Sequence, residues 1–201
     1  MDYKKKVGKV RERAKSFYKG LDPSHDFQHC LRVKNTSLKL AESCGADKLI
    51  LELSAYLHDI GRSLEKDDSS VCHAEWGAEK TKEILEESGF SEKVVEKVSH
   101  CIYSHRYSRG LEPESIEAKV FSDADNLDAL GAIGVSRVFS YGGSNGTPFK
   151  GDSSSLEHFE EKILELKDRM YTEKGLEMAE ERTVFVERFL DRFNKEWDGK
   201  L

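Results

Sequence analysis

Side chains that could bind a metal ion recur through the first two thirds of this chain. All but one of its 7 histidines lie between residues 25 and 105. His58 and Asp59 are adjacent near the end of an apolar helical segment, where burying them without a partner would cost several kcal/mol. His25 and His29 are spaced i, i+4 and therefore share one face of a helix. A divalent metal would satisfy such imidazole and carboxylate groups.

Three aspartates, Asp123, Asp125 and Asp128, lie together in a predicted helix of the second half of the chain. An isolated aspartate on a helix is usually solvated, and an isolated histidine near a helix start is usually a cap. Asp125, however, has alanine before it and a leucine two residues later, and the earlier His–Asp pair also has apolar neighbours. This context favours a metal over solvated surface groups.

The order of His29, His58–Asp59 and Asp125 resembles the H…HD…D signature of the HD-domain superfamily of metal-dependent phosphohydrolases. The similarity covers about residues 22–150 and includes the segments 24–29, 32–33, 57–61 and 117–134. A branch of small bacterial and archaeal members ends its signature with a similar Asp-Ala-Asp-Arg-Leu-Asp-Ala segment. This chain has Asn126 where arginine is common, so a role for that arginine is not carried over.

The resemblance implies a single-domain, all-α HD-domain fold and a divalent ion bound by four side chains: His29, His58, Asp59 and Asp125. Two imidazoles and two carboxylates form a mixed site suited to Mn, Fe, Ni, Co or Zn, and less natural for Mg. A water molecule activated by the metal would attack phosphorus in a phosphomonoester or in the pyrophosphate bond of a nucleoside triphosphate. The expected substrate is a small nucleotide or a related phosphorylated metabolite.

His73 and His105 follow the His–Asp pair and leave two interpretations open. In the binuclear branches of the superfamily, later histidines bind a second metal. In mononuclear relatives similar histidines line the pocket, where His73 or His105 could protonate the leaving oxygen and Asp128 could orient a ligand. We expect the mononuclear arrangement, and a second metal bound by His73 and His105 is its alternative. The predicted catalytic residues are therefore His58, Asp59, His73, His105 and Asp128.

An anionic substrate needs cationic partners, and we predict four of them: Arg32, Arg62, Lys119 and Arg137. For each residue a solvated surface charge is the ordinary explanation. Lys119 and Arg137 differ because they flank the Asp-rich segment in apolar surroundings. The segment 142–150 is predicted to be a loop that could close over a nucleobase or sugar, and a plain surface turn is its alternative.

The elements that position these residues are predicted to be helices, since apolar residues recur about every 3.6 positions. The predicted helices cover residues 2–20, 25–43, 47–61, 72–88, 91–107, 114–129, 154–172 and 174–197. Residues 62–71 are polar, with a loop predicted at 67–70, and residues 141–148 are predicted to be irregular. We expect one domain over residues 1–201, with a metal-binding core at 22–150 and C-terminal helices 154–197 packed on it.

Composition limits the partners. A formal charge of −6 offers no basic surface for nucleic acid. We see no segment of roughly 18 apolar residues that would span a membrane, and the 4 cysteines are scattered without a Cys-x-x-Cys pair. We therefore expect a cytoplasmic protein with reduced cysteines. A homo-oligomer is compatible with the sequence but is not required by it.

Two other functions compete with phosphate hydrolysis. A di-iron oxygenase of the binuclear HD type would need His73 and His105 as ligands of a second iron. A non-catalytic nucleotide sensor would need only the pocket, and the intact set of four ligands gives it no direct support. Metal analysis giving one ion per chain would exclude the oxygenase. Substitution of His58 or Asp59 without loss of the biological effect would support the sensor.

Overall fold

The computed structural model describes residues 3–106 and 111–201, and every regular element within these ranges is a helix. The first five are α1 Tyr3–Lys15, α2 Phe27–Cys44, α3 Lys48–Leu57, α4 Arg62–Asp67 and α5 His73–Glu87. The next five are α6 Glu92–Ser104, α7 Ile116–Asp128, α8 Gly131–Asn145, α9 Ser155–His158 and α10 Glu173–Trp197. The predicted all-α, single-domain fold is confirmed.

The core lies where five of these helices meet. Helix α2 packs against α3 and α7, and α6 packs against α3, α5 and α7. Fully buried side chains fill the space between them, among them Leu53, Leu57, Ile60, Phe121 and Leu127. Each such side chain contributes about 1.5–3 kcal/mol on burial. The predicted metal ligands are attached to these same helices and to the turns that follow them, so the core holds them in place.

Capping residues decide where two of the ligand helices begin. Asp26 accepts hydrogen bonds from the backbone N–H groups of Gln28 at 2.9 Å and His29 at 3.1 Å. Helix α2 therefore begins at Phe27, two residues after the predicted start. Asp47 caps α3 in the same way, as predicted, by accepting from the N–H of Leu49 at 2.9 Å. Caps of this kind stabilise a helix by about 1 kcal/mol.

The predicted irregular stretch 141–148 is wrong for its first part, because α8 continues to Asn145. Gly142 packs closely on the segment that follows: a Cβ added there would lie 2.6 Å from Ser155 Oγ. This close packing stabilises the helix despite the low helix propensity of its glycines. Gly146 then ends α8 with a left-handed backbone, φ 70°, which glycine adopts without strain.

Two further boundaries differ from prediction. The polar residues 62–67, for which no helix was predicted, form α4, where Arg62 contacts Glu65 at 3.2 Å one turn later. The predicted helix over 154–172 is broken into α9, a π-helical turn Phe159–Ile163 and a 3-10 helix Leu164–Arg169. These changes of pitch keep apolar side chains of the segment buried. The predicted start at residue 2 and the predicted end of the fifth helix near residue 107 lie outside the described residues.

The C-terminal segment is attached to α7 through Asp123, which is fully buried. Its carboxylate accepts hydrogen bonds from the backbone of Tyr171 at 2.7 Å and from the backbone and hydroxyl of Thr172 at 2.8 and 2.6 Å. Thr172 is also the N-cap of α10. Gly175 lies so close that a Cβ at this position would collide with Asp123. Asp123 therefore has a structural role, two residues before the predicted ligand Asp125.

No helix within residues 3–106 and 111–201 is both long and apolar enough to cross a lipid bilayer. The longest of these helices, α10 with 25 residues, carries acidic and basic side chains along its length. The cysteines form no disulfide bond with one another.

Candidate metal centre

Three side chains from different helices bring their ligand atoms together, and we call them the first trio: His29, His58 and Asp125. His29 lies in the first turn of α2, His58 caps the C-terminus of α3, and Asp125 lies on α7. The Nε2 atoms of His29 and His58 are 3.1 Å apart. Asp125 Oδ1 lies 3.3 Å from His29 Nε2 and 3.9 Å from His58 Nε2.

A second trio lies beside the first and consists of Asp59, His73 and His105. Asp59 lies in the turn after α3, His73 begins α5, and His105 directly follows α6. The Nε2 atoms of the two histidines are 3.3 Å apart. Asp59 Oδ1 lies 3.5 Å from His73 Nε2 and 3.9 Å from His105 Nε2. All three side chains are buried.

Asp59 joins the two trios because its carboxylate oxygens face different imidazoles. Oδ1 faces the second trio, whereas Oδ2 lies 3.8 Å from His29 Nε2 and 3.5 Å from His58 Nε2. The residue is only 1% exposed, and Oδ2 has no hydrogen-bond partner among the residues that the structure describes. A buried carboxylate oxygen without a donor is costly. Its position between the imidazoles therefore fits a cation.

Hydrogen bonds at the outer side of each ring determine which nitrogen atoms of the first trio can bind a metal. His58 Nδ1 donates to the carbonyl of Ala55 at 3.0 Å. His29 Nδ1 donates to Asp128 Oδ2 at 2.7 Å. Since carbonyl and carboxylate oxygens only accept, both protons lie on Nδ1, and each neutral ring presents a lone pair on Nε2. Two lone pairs facing each other are unfavourable unless a cation lies between them.

The second trio is arranged in the same way. His105 Nδ1 donates to the carbonyl of Ile102 at 2.5 Å, and His73 Nδ1 donates to Glu65 Oε2 at 2.8 Å. Both Nε2 lone pairs therefore face Asp59. Outer partners of this kind commonly orient histidines that bind metals. Both trios thus fit a divalent metal on the chemistry of their donors.

Burial and charge keep several of these groups in the form that binds a metal. Burial lowers the pKa of His58 to about 4 and the pKa of His73 to about 3, so both rings are neutral near pH 7. Burial alone would raise the pKa of Asp59. The guanidinium of Arg62 and the neighbouring imidazoles outweigh it and lower that pKa well below its usual range. Neutral imidazoles and an ionised carboxylate are the states that coordinate an ion.

His29 differs from His58 and His73 because its pKa is raised. Burial and Arg137 lower the pKa of His29, but hydrogen bonds with Asp125 and Asp128 outweigh them. A proton on His29 Nε2, facing Asp125, is therefore held more strongly than on a free imidazole and competes with a cation for this position. Binding of a metal at the first trio must release this proton.

A cavity of about 800 Å³ opens beside the first trio, and His29 and Asp125 form part of its wall. Two predicted substrate-binding residues, Arg62 and Arg137, also line it. Arg62 Nε donates to Asp59 Oδ1 at 2.9 Å. Both arginines therefore lie where an anion bound at the metal centre would meet them.

The other two predicted substrate-binding residues lie elsewhere. Arg32 donates from Nε and Nη2 to the carboxylate of Asp128 at 2.8 and 2.9 Å, and it is not among the described residues that line the cavity. Lys119 is half-buried on α7 and does not line the cavity either. Asp128 also accepts from Arg137 Nη1 at 2.9 Å. Two arginines thus hold the carboxylate that orients His29.

Glu65 is a site residue that the sequence did not indicate. Its carboxylate orients His73, accepts from Arg62 at 3.2 Å and contacts Arg106 at 2.5 Å. The i, i+3 spacing from Arg62 was the one local signal that could have pointed to it.

Comparison with known proteins agrees with this geometry. A family model described as HD domain matches residues 26–130. The chain belongs to the HD-domain superfamily. The uncharacterized protein YpgQ of Bacillus subtilis is 32% identical over 200 residues, which cover 97% of this chain and 95% of YpgQ. Members of this superfamily with solved structures include hydrolases, and the two trios support a metal-dependent phosphohydrolase in general terms.

Two solved structures illustrate the similarity. The crystal structure of B. subtilis YpgQ in complex with ADP has a TM-score of 0.79 at 29% identity and covers 94% of this chain and 97% of its own. An HD-superfamily hydrolase from Bacillus thuringiensis has a TM-score of 0.77 at 35% identity and covers 97% of this chain and 98% of its own. The fold outside the matched residues 26–130 is therefore also shared.

Proposed function

We propose that the protein is a metal-dependent phosphohydrolase that cleaves a phosphate bond in a small nucleotide or related phosphorylated metabolite. One observation carries this proposal: buried Nε2 lone pairs and an unpartnered Asp59 oxygen converge beside a cavity lined by Arg62 and Arg137. The donors suit a divalent cation, and the arginines suit the phosphate. The bond cleaved is a phosphomonoester or the pyrophosphate bond of a nucleoside triphosphate.

Four side chains would hold an ion at the first trio: His29, His58, Asp59 and Asp125. A bound divalent ion lowers the pKa of a coordinated water and polarises the phosphorus centre. The chain keeps the donors ready for it. Asp128 holds the proton on His29 Nδ1, and Arg62 keeps Asp59 ionised while its own guanidinium lines the cavity.

A second ion at Asp59, His73 and His105 is supported by the same geometry, although we expected a single ion from the sequence. A histidine that protonates the leaving oxygen needs a proton on Nε2. In a neutral ring this would leave Nδ1 of His73 facing Glu65, or Nδ1 of His105 facing a carbonyl, without a proton to donate. We therefore favour a metal-binding role for both residues, and metal analysis with two ions per chain would support it.

The nucleotide character of the substrate is supported by the cavity and by a relative. A volume of about 800 Å³ is within the range of small-molecule sites. Tyr141 and His25 line the cavity with their ring centroids 6.4 Å apart, and such rings can stack on a nucleobase. Since B. subtilis YpgQ was crystallised with ADP, an adenine nucleotide is the first ligand to test.

The test is hydrolysis by protein loaded separately with Mn, Co, Ni, Zn, Fe or Mg. Nucleoside mono-, di- and triphosphates and simple phosphomonoesters are offered, and phosphate and pyrophosphate are measured separately to identify the bond. His58→Ala, prepared in parallel, is the matched control because it removes one ligand and leaves the arginines of the cavity. The proposal fails if the loaded wild-type protein releases neither product.

Di-iron oxygenation is the second candidate, and the sharing of Asp59 by two trios is the observation that favours it. It predicts two irons per chain and oxygen uptake by the reduced, iron-loaded protein. Oxygen uptake without phosphate release would replace the hydrolytic proposal. Phosphate release with Mn or Co and no oxygen uptake with iron would remove the oxygenase.

We place this activity in the cytoplasm. The 4 cysteines without a disulfide bond agree with a reducing compartment. The formal charge of −6 argues against a nucleic-acid partner. Cell fractionation followed by immunodetection checks the location.

A further inference from the structure

One wall of the cavity is formed by residues between 152 and 166, which we call the C-terminal wall. It carries Lys162, a cation that the sequence did not single out. Lys162 lies in the π-helical turn Phe159–Ile163, whose two terminal side chains are buried in the core. Turns of this type are rare and occur frequently at functional sites.

Lys162 differs from the other cations of the cavity in its partners. Arg62 contacts Asp59, and Arg137 contacts Asp128, so each guanidinium already has a carboxylate. Lys162 makes no hydrogen bond or ion pair with a residue that the structure describes. An ammonium group without a carboxylate partner, in the wall of a cavity, is available to an anionic ligand.

Cations also act on Lys162, although the C-terminal wall carries acidic side chains as well. Lys162 is solvent-exposed, yet partial desolvation in the cavity wall is the largest influence lowering its pKa, followed by Arg62, Arg169 and Arg106, while Asp125 acts in the opposite sense. Cations from three other parts of the chain thus act on this one ammonium group. Like charges held together repel one another, and an anion bound among them would relieve that repulsion.

The location relative to the metal centre identifies the anion. Arg62 and Lys162 line the same cavity as His29 and Asp125, and Arg62 also contacts the predicted metal ligand Asp59. A phosphate group held at the metal centre would meet Arg62 first, and the next phosphate of a chain would meet Lys162. A lysine ammonium suits this position, since it binds phosphate as a point charge with three donors.

We propose that Lys162 binds a second phosphate group of the substrate and so makes the site prefer nucleoside di- and triphosphates over monophosphates. This inference rests on the proposed function and deepens it. It names Lys162 as the residue of the C-terminal wall that distinguishes substrates by the length of their phosphate chain.

Equilibrium binding tests the proposal independently of turnover. AMP, ADP and a non-hydrolysable ATP analogue are titrated into the manganese-loaded full-length protein and into Lys162→Met, which removes the charge but keeps an unbranched apolar stem. We expect roughly tenfold weaker binding of ADP and the ATP analogue and less than about twofold for AMP, since a hydrogen bond to a charged group contributes this much. Lys162→Arg should restore most of the affinity.

Lys167→Met is the matched control. Lys167 belongs to the adjoining 3-10 helix Leu164–Arg169, is not among the described residues that line the cavity, and should leave binding of all three nucleotides unchanged. Equal effects of Lys162→Met on AMP and ADP, or no effect on either, would overturn the inference. If wild-type protein binds ADP with this Lys162 dependence but hydrolyses no nucleotide, only the proposed function falls. If it binds none of the three, this inference falls, and the hydrolysis panel alone decides the proposed function.

Discussion

The two trios contain similar donors but are supported by different parts of the molecule. In the first trio, His29 is oriented by Asp128, a side chain only 5% exposed that two arginines hold. In the second trio, His73 is oriented by Glu65, a side chain 19% exposed on the six-residue helix α4. The first support belongs to the packed helix α7, and the second to a short surface helix without a buried residue.

Similar ligand sets with such different supports need not bind a metal equally well. A ligand oriented by a packed, buried partner loses little freedom on binding a metal, whereas a more exposed partner on a short surface helix loses more. We therefore expect the first trio to bind its ion more tightly than the second. Asp59, which both trios share, makes the two affinities depend on each other.

The largest effect is expected from Asp59→Asn, which alters both trios at once. The amide loses the charge, and its N–H group can donate to the inward lone pairs, so the fold is kept while ion binding is lost. We expect hydrolysis to fall to background and both ions to disappear in elemental analysis. Circular dichroism and thermal unfolding serve as the control for folding, and retention of either ion would contradict the shared role of Asp59.

The next largest effect distinguishes the contributions of the two trios to turnover. His58→Ala should abolish the first ion and reduce turnover by at least roughly 100-fold, which corresponds to about 3 kcal/mol. His105→Ala should leave one ion per chain and a smaller loss of turnover. Elemental analysis and kcat are measured on both variants, and the reverse order of losses would show that the second trio is the principal site.

A smaller effect is expected when the carboxylates that orient His29 and His73 are replaced, and it compares their contributions directly. Asp128→Asn should weaken binding of the first ion by roughly 100-fold, and Glu65→Gln should weaken binding of the second by roughly tenfold. Metal titrations monitored by calorimetry provide both constants. The comparison is wrong if Glu65→Gln has the larger effect.

The smallest effect is a difference in pH dependence. The raised pKa of His29 means that a proton occupies the first trio below that pKa and competes with the ion, whereas His73, with its pKa near 3, stays neutral. As the pH falls below the raised pKa of His29, the affinity of the first ion should fall by up to tenfold per pH unit. The affinity of the first ion is measured in His105→Ala and that of the second ion in His58→Ala. A steeper fall with pH for the second ion would refute the assignment of the competing proton to the first trio.

The sequence indicated the ligands because each carries a local signal. His58 and Asp59 end an apolar helix, His29 is spaced i, i+4 from His25 at a predicted helix start, and Asp125 lies among apolar residues. The structure brings these four together as the resemblance implied. Their individual roles stay predictions until the variants above are measured.

The side chains that orient the ligands could not be identified from local sequence signals, because their roles depend on contacts between distant parts of the chain. Arg32 reaches Asp128 across 96 residues, and the sequence offered only an anionic substrate as its partner. Glu65 lies in a polar stretch without apolar periodicity, where α4 is stabilised by charge pairs instead of core packing. Lys162 has no neighbour in sequence that marks it, since the cations around it come from other elements.

The attachment of Asp123 to the C-terminal segment has a consequence for how the chain can be divided. A fragment limited to residues 26–130 would keep all predicted ligands of both trios. It would lack the Tyr171 and Thr172 donors, however, and leave the Asp123 carboxylate on α7 without its hydrogen-bond partners. An unsatisfied buried carboxylate costs about 1–3 kcal/mol or more, a large part of the stability of a small domain. We therefore expect the smallest stably folded unit to be longer than the stretch that carries the predicted metal ligands.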